Sequence, residues 1–177
     1  MKKTILLALL ALCVSVTAGA ASKEEIDAEV SAALVAFEKQ TPAGHELAKN
    51  ASGMLVFPNV VKAGIGVGGE YGEGALIIDG QTVAYYSLAS ASIGFQLGAQ
   101  SRSQIMLFMN DEVLAKFRDS EGWKAGVDGS VAVATLGAGG GIDTETAQKP
   151  IIGFIFSGKG LMYNLTFEGS KITKLDR

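Results

Sequence analysis

Apolar residues recur every three to four positions in "SKEEIDAEVSAALVAFEKQ" and every second position through much of the chain after Met54. The pattern therefore predicts helix first and sheet afterwards. In the opening stretch Ile26, Val30, Leu34 and Phe37 share one helical face. Ser22 stands where a cap belongs, with Glu25 three residues on to complete a capping box. "TPAGHELAKNASG" predicts a second, shorter helix, capped by Thr41, with Pro42 at its first position and Gly53 past its end.

Beyond Met54 the period changes. "MLVF" predicts a short strand stopped at Pro58. In "KAGIGVGG", Gly64, Gly66 and Gly68 alternate with Ala63, Ile65 and Val67. "EGALII" and "QTVAYYS" flank Asp79-Gly80, a pair suited to a type I′ hairpin because both central positions need positive φ. "SASIGFQLGAQ" alternates again, and "QIMLFM" is apolar on both faces, as a central strand would be. "NDEVLAKFRDSEG" predicts a two-turn helix capped by Asn110, with Val113, Leu114 and Phe117 inward. "WKAGVDGSVAV" predicts a strand entering a glycine-rich loop. The tail predicts a hairpin turned at Ser157–Gly160 and a last strand over Lys171–Leu175.

The expected fold is α+β. It is a mostly antiparallel, strongly curved, glycine-rich or barrel-like sheet of about seven to nine strands, with two N-terminal helices and one short inserted helix.

Composition then narrows the function. The chain has 177 residues and a formal charge of −3, with one Cys and one His. It opens with a basic pair, Lys2 and Lys3, an apolar run from Thr4 to Val16, and Ala18-x-Ala20. That order predicts a signal peptide over 1–20 and a single domain over 21–177, periplasmic or secreted. Cys13 follows Leu12, not the small residue expected before a lipoprotein cysteine, so lipid anchoring there is the minor expectation. Loss of Lys2 and Lys3 takes the charge from −3 to −5. No basic tail is left for nucleic acid, which the sequence excludes as a partner class.

Candidate chemistry is sparse. Gly64, Gly66 and Gly69 spell G-x-G-x-x-G, but the glycines that follow disfavour a helix and no acidic residue stands about 20 positions on. A nucleotide loop is therefore rejected in favour of a strand whose bare face admits close packing, with a ligand or lipid chain over that face as the alternative. One histidine, His45, and no cysteine beyond Cys13 remove most metal and nucleophile arrangements. Neither a catalytic residue, a metal nor a cofactor is expected. Carboxylates are the remaining material: Glu70 and Glu73 straddle a glycine-rich bend, and Asp128 lies on a predicted strand, so Glu70 and Asp128 would be the pair for acid–base chemistry if they met. Lys62, Lys124 and Lys159 flank glycine-rich elements. They are candidate lipid head-group contacts, or plain edge charges. Trp123, the sole tryptophan, is the candidate membrane contact, or a core anchor.

Four stretches, "GMLVFPNVVKAGIGVGGEYGEGAL", "YYSLASASIGFQLGAQSRSQIMLFMNDEVLAKF", "GWKAGVDGSVAV" and "QKPIIGFIFSGKGLMYNLTFEGSKI", together resemble the SYLF domain family, also called the Ysc84 actin-binding or lipid-binding domain. The resemblance runs from about Ala28 to Leu175. It marks Pro58, Lys62, Gly64, Gly66, Gly69, Glu70, Gly72, Gly74, Asp128, Lys159, Gly160 and Gly169 as fold-defining landmarks, not catalytic ones. It implies a non-enzymatic domain that binds phosphoinositides or other anionic lipids, with some relatives binding actin.

This chain departs from that pattern. Its first helix carries Glu24, Glu25, Asp27, Glu29 and Glu38 against Lys23 and Lys39, where an anionic-lipid contact prefers cations. An exported protein also meets no actin filaments. The expected function is a lipid-binding or membrane-associating envelope domain. The alternative is a periplasmic protein-interaction or stress-protection protein without lipid binding. An outer-membrane barrel is disfavoured by the amphipathic helix and by the "KLDR" C-terminus, which has no aromatic anchor.

Overall fold

The computed structural model describes residues 21–94, 100–136, 140–158, 160–162 and 165–177. The predicted leader and its cleavage residues, Lys159, and the stretch from Phe95 to Ala99 lie outside them.

Helix α1 spans Lys23–Gln40, and its capping box forms as the sequence predicts. The Glu25 amide donates to Ser22 Oγ at 3.2 Å, while the Ser22 amide donates to Glu25 Oε2 at 2.7 Å. Its buried stripe is Ile26, Val30, Ala33 and Phe37, so Ala33 replaces Leu34 at the centre and Leu34 lies at the edge. Helix α2, Pro42–Ala48, starts on Pro42 as expected. Thr41 occupies the cap position, but its hydroxyl is buried and makes no capping bond. Helix α3, Asp111–Arg118, is capped by Asn110 Oδ1, which accepts from the Val113 amide at 3.0 Å. A one-turn helix α4 covers Thr144–Ala147.

The strands are β1 (Gly53–Ile78), β2 (Gln81–Gly94), β3 (Gln100–Phe108), β4 (Trp123–Lys124), β5 (Ala132–Val133), β6 (Ile151–Ser157), β7 (Gly160–Leu161) and β8 (Lys171–Leu175). They form one eight-stranded sheet in the order β4-β8-β2-β1-β3-β6-β5, with β7 on β6. Every pairing is antiparallel except β5 with β6. The fold is thus α+β with a strongly curved, half-barrel sheet. The Asp79-Gly80 turn between β1 and β2 has both φ values positive, 51° and 76°. All of "QIMLFM" but its last residue, Met109, lies centrally, in β3 between β1 and β6. The strand expected after Trp123 shrinks to β4, because a tight turn follows at once.

Pro58 does not stop β1. It causes a register shift between Phe57 and Val60, and the strand continues for 26 residues in all. The first half of β1 pairs with β3 and the second half with β2. Between them the strand folds over so that its own halves touch. A Cβ at Gly68 would stand 2.7 Å from the Ala63 carbonyl oxygen, and one at Gly72 2.9 Å from that of Asn59. At Gly74 it would overlap the Val56 carbonyl. The glycine face is therefore a backbone-to-backbone contact that no side chain can enter.

Two apolar cores lie on the two faces of this sheet. Alternation along β3 sends Ile105 and Leu107 towards α1, and Met106 and Phe108 towards α3. On the first face Ile26, Val30 and Phe37 meet Val56, Ile152, Phe154 and Phe156. Phe37 packs edge-on to Phe154 with ring centroids 5.0 Å apart. On the second, Phe117 gathers Tyr86, Phe108 and Trp123. Phe167 fills the place left by the missing side chain of Gly153.

Candidate functional site

The fold-over of β1 concentrates charge. Glu70 follows the bend and points back to the first half of the strand and to β3. Arg102 Nη2 lies 2.5 Å from Glu70 Oε2, and the two side chains are 6% and 8% exposed. Lys62 Nζ lies 3.6 Å from Glu70 Oε1 and is 19% exposed. Lys62, Glu70 and Arg102 thus form a nearly dry triad. A buried carboxylate between two cations is a structural pin. Lys62 therefore presents little charge to a head group. Arg102 was not singled out from the sequence. Its signal was an arginine in a strand otherwise destined for burial, and that reads as an edge charge until the fold-over of β1 is known.

Glu73 belongs to a second group. Its Oε1 accepts from Tyr71 Oη at 2.9 Å and from Arg177 Nη2 at 2.7 Å. The other guanidinium nitrogen, Nη1, donates to the Ala21 carbonyl. Glu73, not Asp128, shares a cleft with Glu70: both line an open space of about 670 Å³ with Ala21, Ile26, Glu29, Asn59 and Tyr71. Burial, then the Glu73 hydrogen bond, pushes the Tyr71 hydroxyl above its usual range.

Asp128 has a separate role. Its Oδ2 accepts from the Lys124 amide at 2.6 Å and closes the turn after β4. The Val127 and Asp128 amides both reach the Lys124 carbonyl, and the Gly126 amide reaches that of Gly129. Glu70 and Asp128 are held by different partners on different strands, and the acid–base pair considered from sequence is not assembled. His45 lies half-buried in α2. Among the described residues there is no group of three or more His, Cys, Asp or Glu placed to hold a metal.

The Asp128 turn shapes the surface. Trp123 is 3% exposed, packed edge-on against Phe117 and covered by Gly129. Its indole anchors the turn from the core side and offers no face to a membrane. Val127 is 78% exposed at the tip. Lys124 and Lys171 are cross-strand partners on β4 and β8, both exposed. With Val127, Glu168 and Gly169 they border a shallow cleft of about 480 Å³. Val127 was overlooked in the sequence because "GVDG" reads as strand alternation.

The other landmarks are backbone positions. Gly66 pairs with Gly94, Gly69 with Ala91, and Gly160 with Ser157. Gly64 lies in the fold-over, and Gly169, at φ 80°, makes the turn before β8. No helix among the described residues is long and apolar enough to cross a membrane.

Residues 89–177 match the family described as Ysc84, Las17-binding protein actin regulator. The match begins in β2, so the β1 landmarks from Pro58 to Gly74 lie outside the matched span. Among curated proteins, none matches the chain.

Proposed function

The chain belongs to the Ysc84 family, and on that premise we propose that it is a non-enzymatic, membrane-associating domain of the cell envelope, exported by cleavage near Ala20. It touches lipid through the β4–β8 edge. The observation that carries this reading is Val127, held out at the tip of a turn whose base is locked by Asp128 and Trp123. Lys124 and Lys171 stand beside it with their long apolar stems free to lie along the surface and their ammonium groups towards lipid phosphates. Each lysine near an anionic surface is worth about 1 kcal/mol. Glu168 in the same cleft opposes part of that. The sum describes weak, reversible attachment to anionic lipid in general.

The triad at Glu70 and the β1 glycines support the fold and take no part in binding. Lys159 remains a candidate contact by its place in the sequence. Co-flotation of the chain starting at Ala21 with anionic vesicles at low salt tests the proposal. Binding that fades with salt supports it, and no co-flotation of the folded chain rejects it.

A second reading comes from the family itself, which is described by a protein partner. On this reading the same Val127 turn docks a protein of the envelope and lipid is not bound. Cross-linking in intact cells, followed by mass spectrometry, would then find one dominant partner that Val127→Asp abolishes.

A further inference from the structure

Glu73 is half satisfied. Two donors, Tyr71 Oη and Arg177 Nη2, both serve Oε1. Oε2 is buried and has no hydrogen-bond partner among the described residues. A carboxylate oxygen taken out of water without a donor is costly, because its desolvation is not repaid. The same guanidinium that binds Glu73 also grips the Ala21 carbonyl, so one planar group holds Glu73 and the backbone of Ala21 side by side. Ala21 and Glu73 line one cleft, together with Glu29 and Glu70. The sequence places export cleavage just before Ala21.

We propose that the α-ammonium released at Ala21 by cleavage is the missing partner of Glu73, so that removal of the leader completes the clasp between the start of α1, the bend of β1 and the C-terminus. The step is peptide-bond hydrolysis by a signal peptidase. Water adds across the Ala20–Ala21 bond, the carboxylate leaves with Ala20, and the amine stays on Ala21 and takes up a proton. The uncleaved chain has a neutral amide there and supplies no cation. The charged and titratable groups that line the cleft with Ala21 or hold its lining are Glu29 from α1, Glu70, Tyr71 and Glu73 from β1, and Arg177 from the C-terminus, with Lys62 from β1 and Arg102 from β3 both paired to Glu70. Glu70 is already matched by Lys62 and Arg102, so the groups left to favour the charged amine are Glu29 and the second oxygen of Glu73, an adjacent carboxylate favouring the charged form. The inference rests on the export reading but not on lipid binding.

The test uses the chain beginning at Ala21, with isotope-labelled alanine, and titrates the terminal amine by NMR. The expected result is a pKa raised by about one unit above the usual ~7.7–8.0, returning to that range in Glu73→Gln. An N-terminal Gly-Ser extension, which leaves every side chain intact, should lower Tm by about 2–4 °C; it decides the matter should Glu73→Gln not fold. An amine that titrates in the ordinary range, or an extension without effect on Tm, would overturn the proposal. The mass of the exported chain checks the cleavage position separately, and an N-terminus other than Ala21 also overturns it.

Discussion

Arg102 on β3 reaches across the folded-over β1 to Glu70, Nη2 to Oε2 at 2.5 Å. In register Arg102 lies opposite Val60, on the first half of β1, whereas Glu70 lies opposite Ser90, on the second. The ion pair therefore ties β3, which runs along the first half of β1, to the second half of that strand, and Lys62 joins the two halves of β1 directly through the same carboxylate.

Removing one partner should be costly. Arg102→Met leaves Glu70 Oε2 buried without its cation, and unfolding in urea should show a loss of about 3–5 kcal/mol. Lys62→Met, at the more exposed and longer contact, should cost distinctly less. The double variant Glu70→Gln with Arg102→Met should recover part of the loss, because the stranded charge is gone. Equal midpoints for the Arg102 and Lys62 variants would show that the triad is not the pin described here.

The glycines of β1 should differ sharply in tolerance. Gly74→Ala drives a methyl into the Val56 carbonyl and should lower thermal stability severely or prevent folding. Gly69→Ala meets only the Ser90 carbonyl at 3.5 Å, ordinary contact, and should be within about 1 kcal/mol of the parent. Thermal unfolding of the two proteins side by side checks this.

Much of this was legible in the sequence, and the reasons are local. The Ser22–Glu25 box, the Asn110 cap and the Asp79-Gly80 turn are short-range motifs whose chemistry is complete within four residues, and each forms as read. The alternation of "KAGIGVGG" correctly signalled close backbone approach. The partner surface was hidden, because it is β1 itself, reached only after the strand folds over. For the same reason Pro58 read as a stop when it is a bulge. The candidate site was less legible. Lys62 looked like a free cation until Glu70 met it, and Trp123 read as a core anchor or a membrane contact until Phe117 enclosed it and left the core role. Long-range pairing decides both, and neither spacing nor composition records it.

Alkaline pH should destabilise the protein through Tyr86. Burial raises its hydroxyl above the usual range, with Arg118 opposing weakly. The neutral form is favoured in the folded state, so the folded chain holds its proton to higher pH than the unfolded chain. This contribution is complete below the unfolded value of about 10 and is lost as pH rises through the folded value. The urea midpoint should therefore fall more steeply above pH ~10 than in Tyr86→Phe, which keeps the ring packing on Phe117 at 5.0 Å. Parallel curves for the two proteins would remove Tyr86 as the cause.

Surface variants should separate binding from folding. Val127→Asp and the double change Lys124→Glu with Lys171→Glu all replace exposed side chains and should leave Tm within a degree or two, since such substitutions usually stay within about 0.5 kcal/mol. Each should reduce co-flotation with anionic vesicles several-fold. Lys62→Met, by contrast, should leave vesicle binding intact. If Lys62→Met abolished binding in a folded protein, the head-group contact would have to move to the β1 bend.

The most direct measurement uses the chain's own lack of thiols, since its one cysteine, Cys13, precedes Ala21. Val127→Cys in the chain starting at Ala21 gives a single labelling site for an environment-sensitive fluorophore, with Ser31→Cys on the exposed side of α1 as the comparison. On adding anionic vesicles, the emission at position 127 should shift to the blue and that at position 31 should not. Unchanged emission at 127, or an equal shift at both positions, would contradict attachment through the β4–β8 edge.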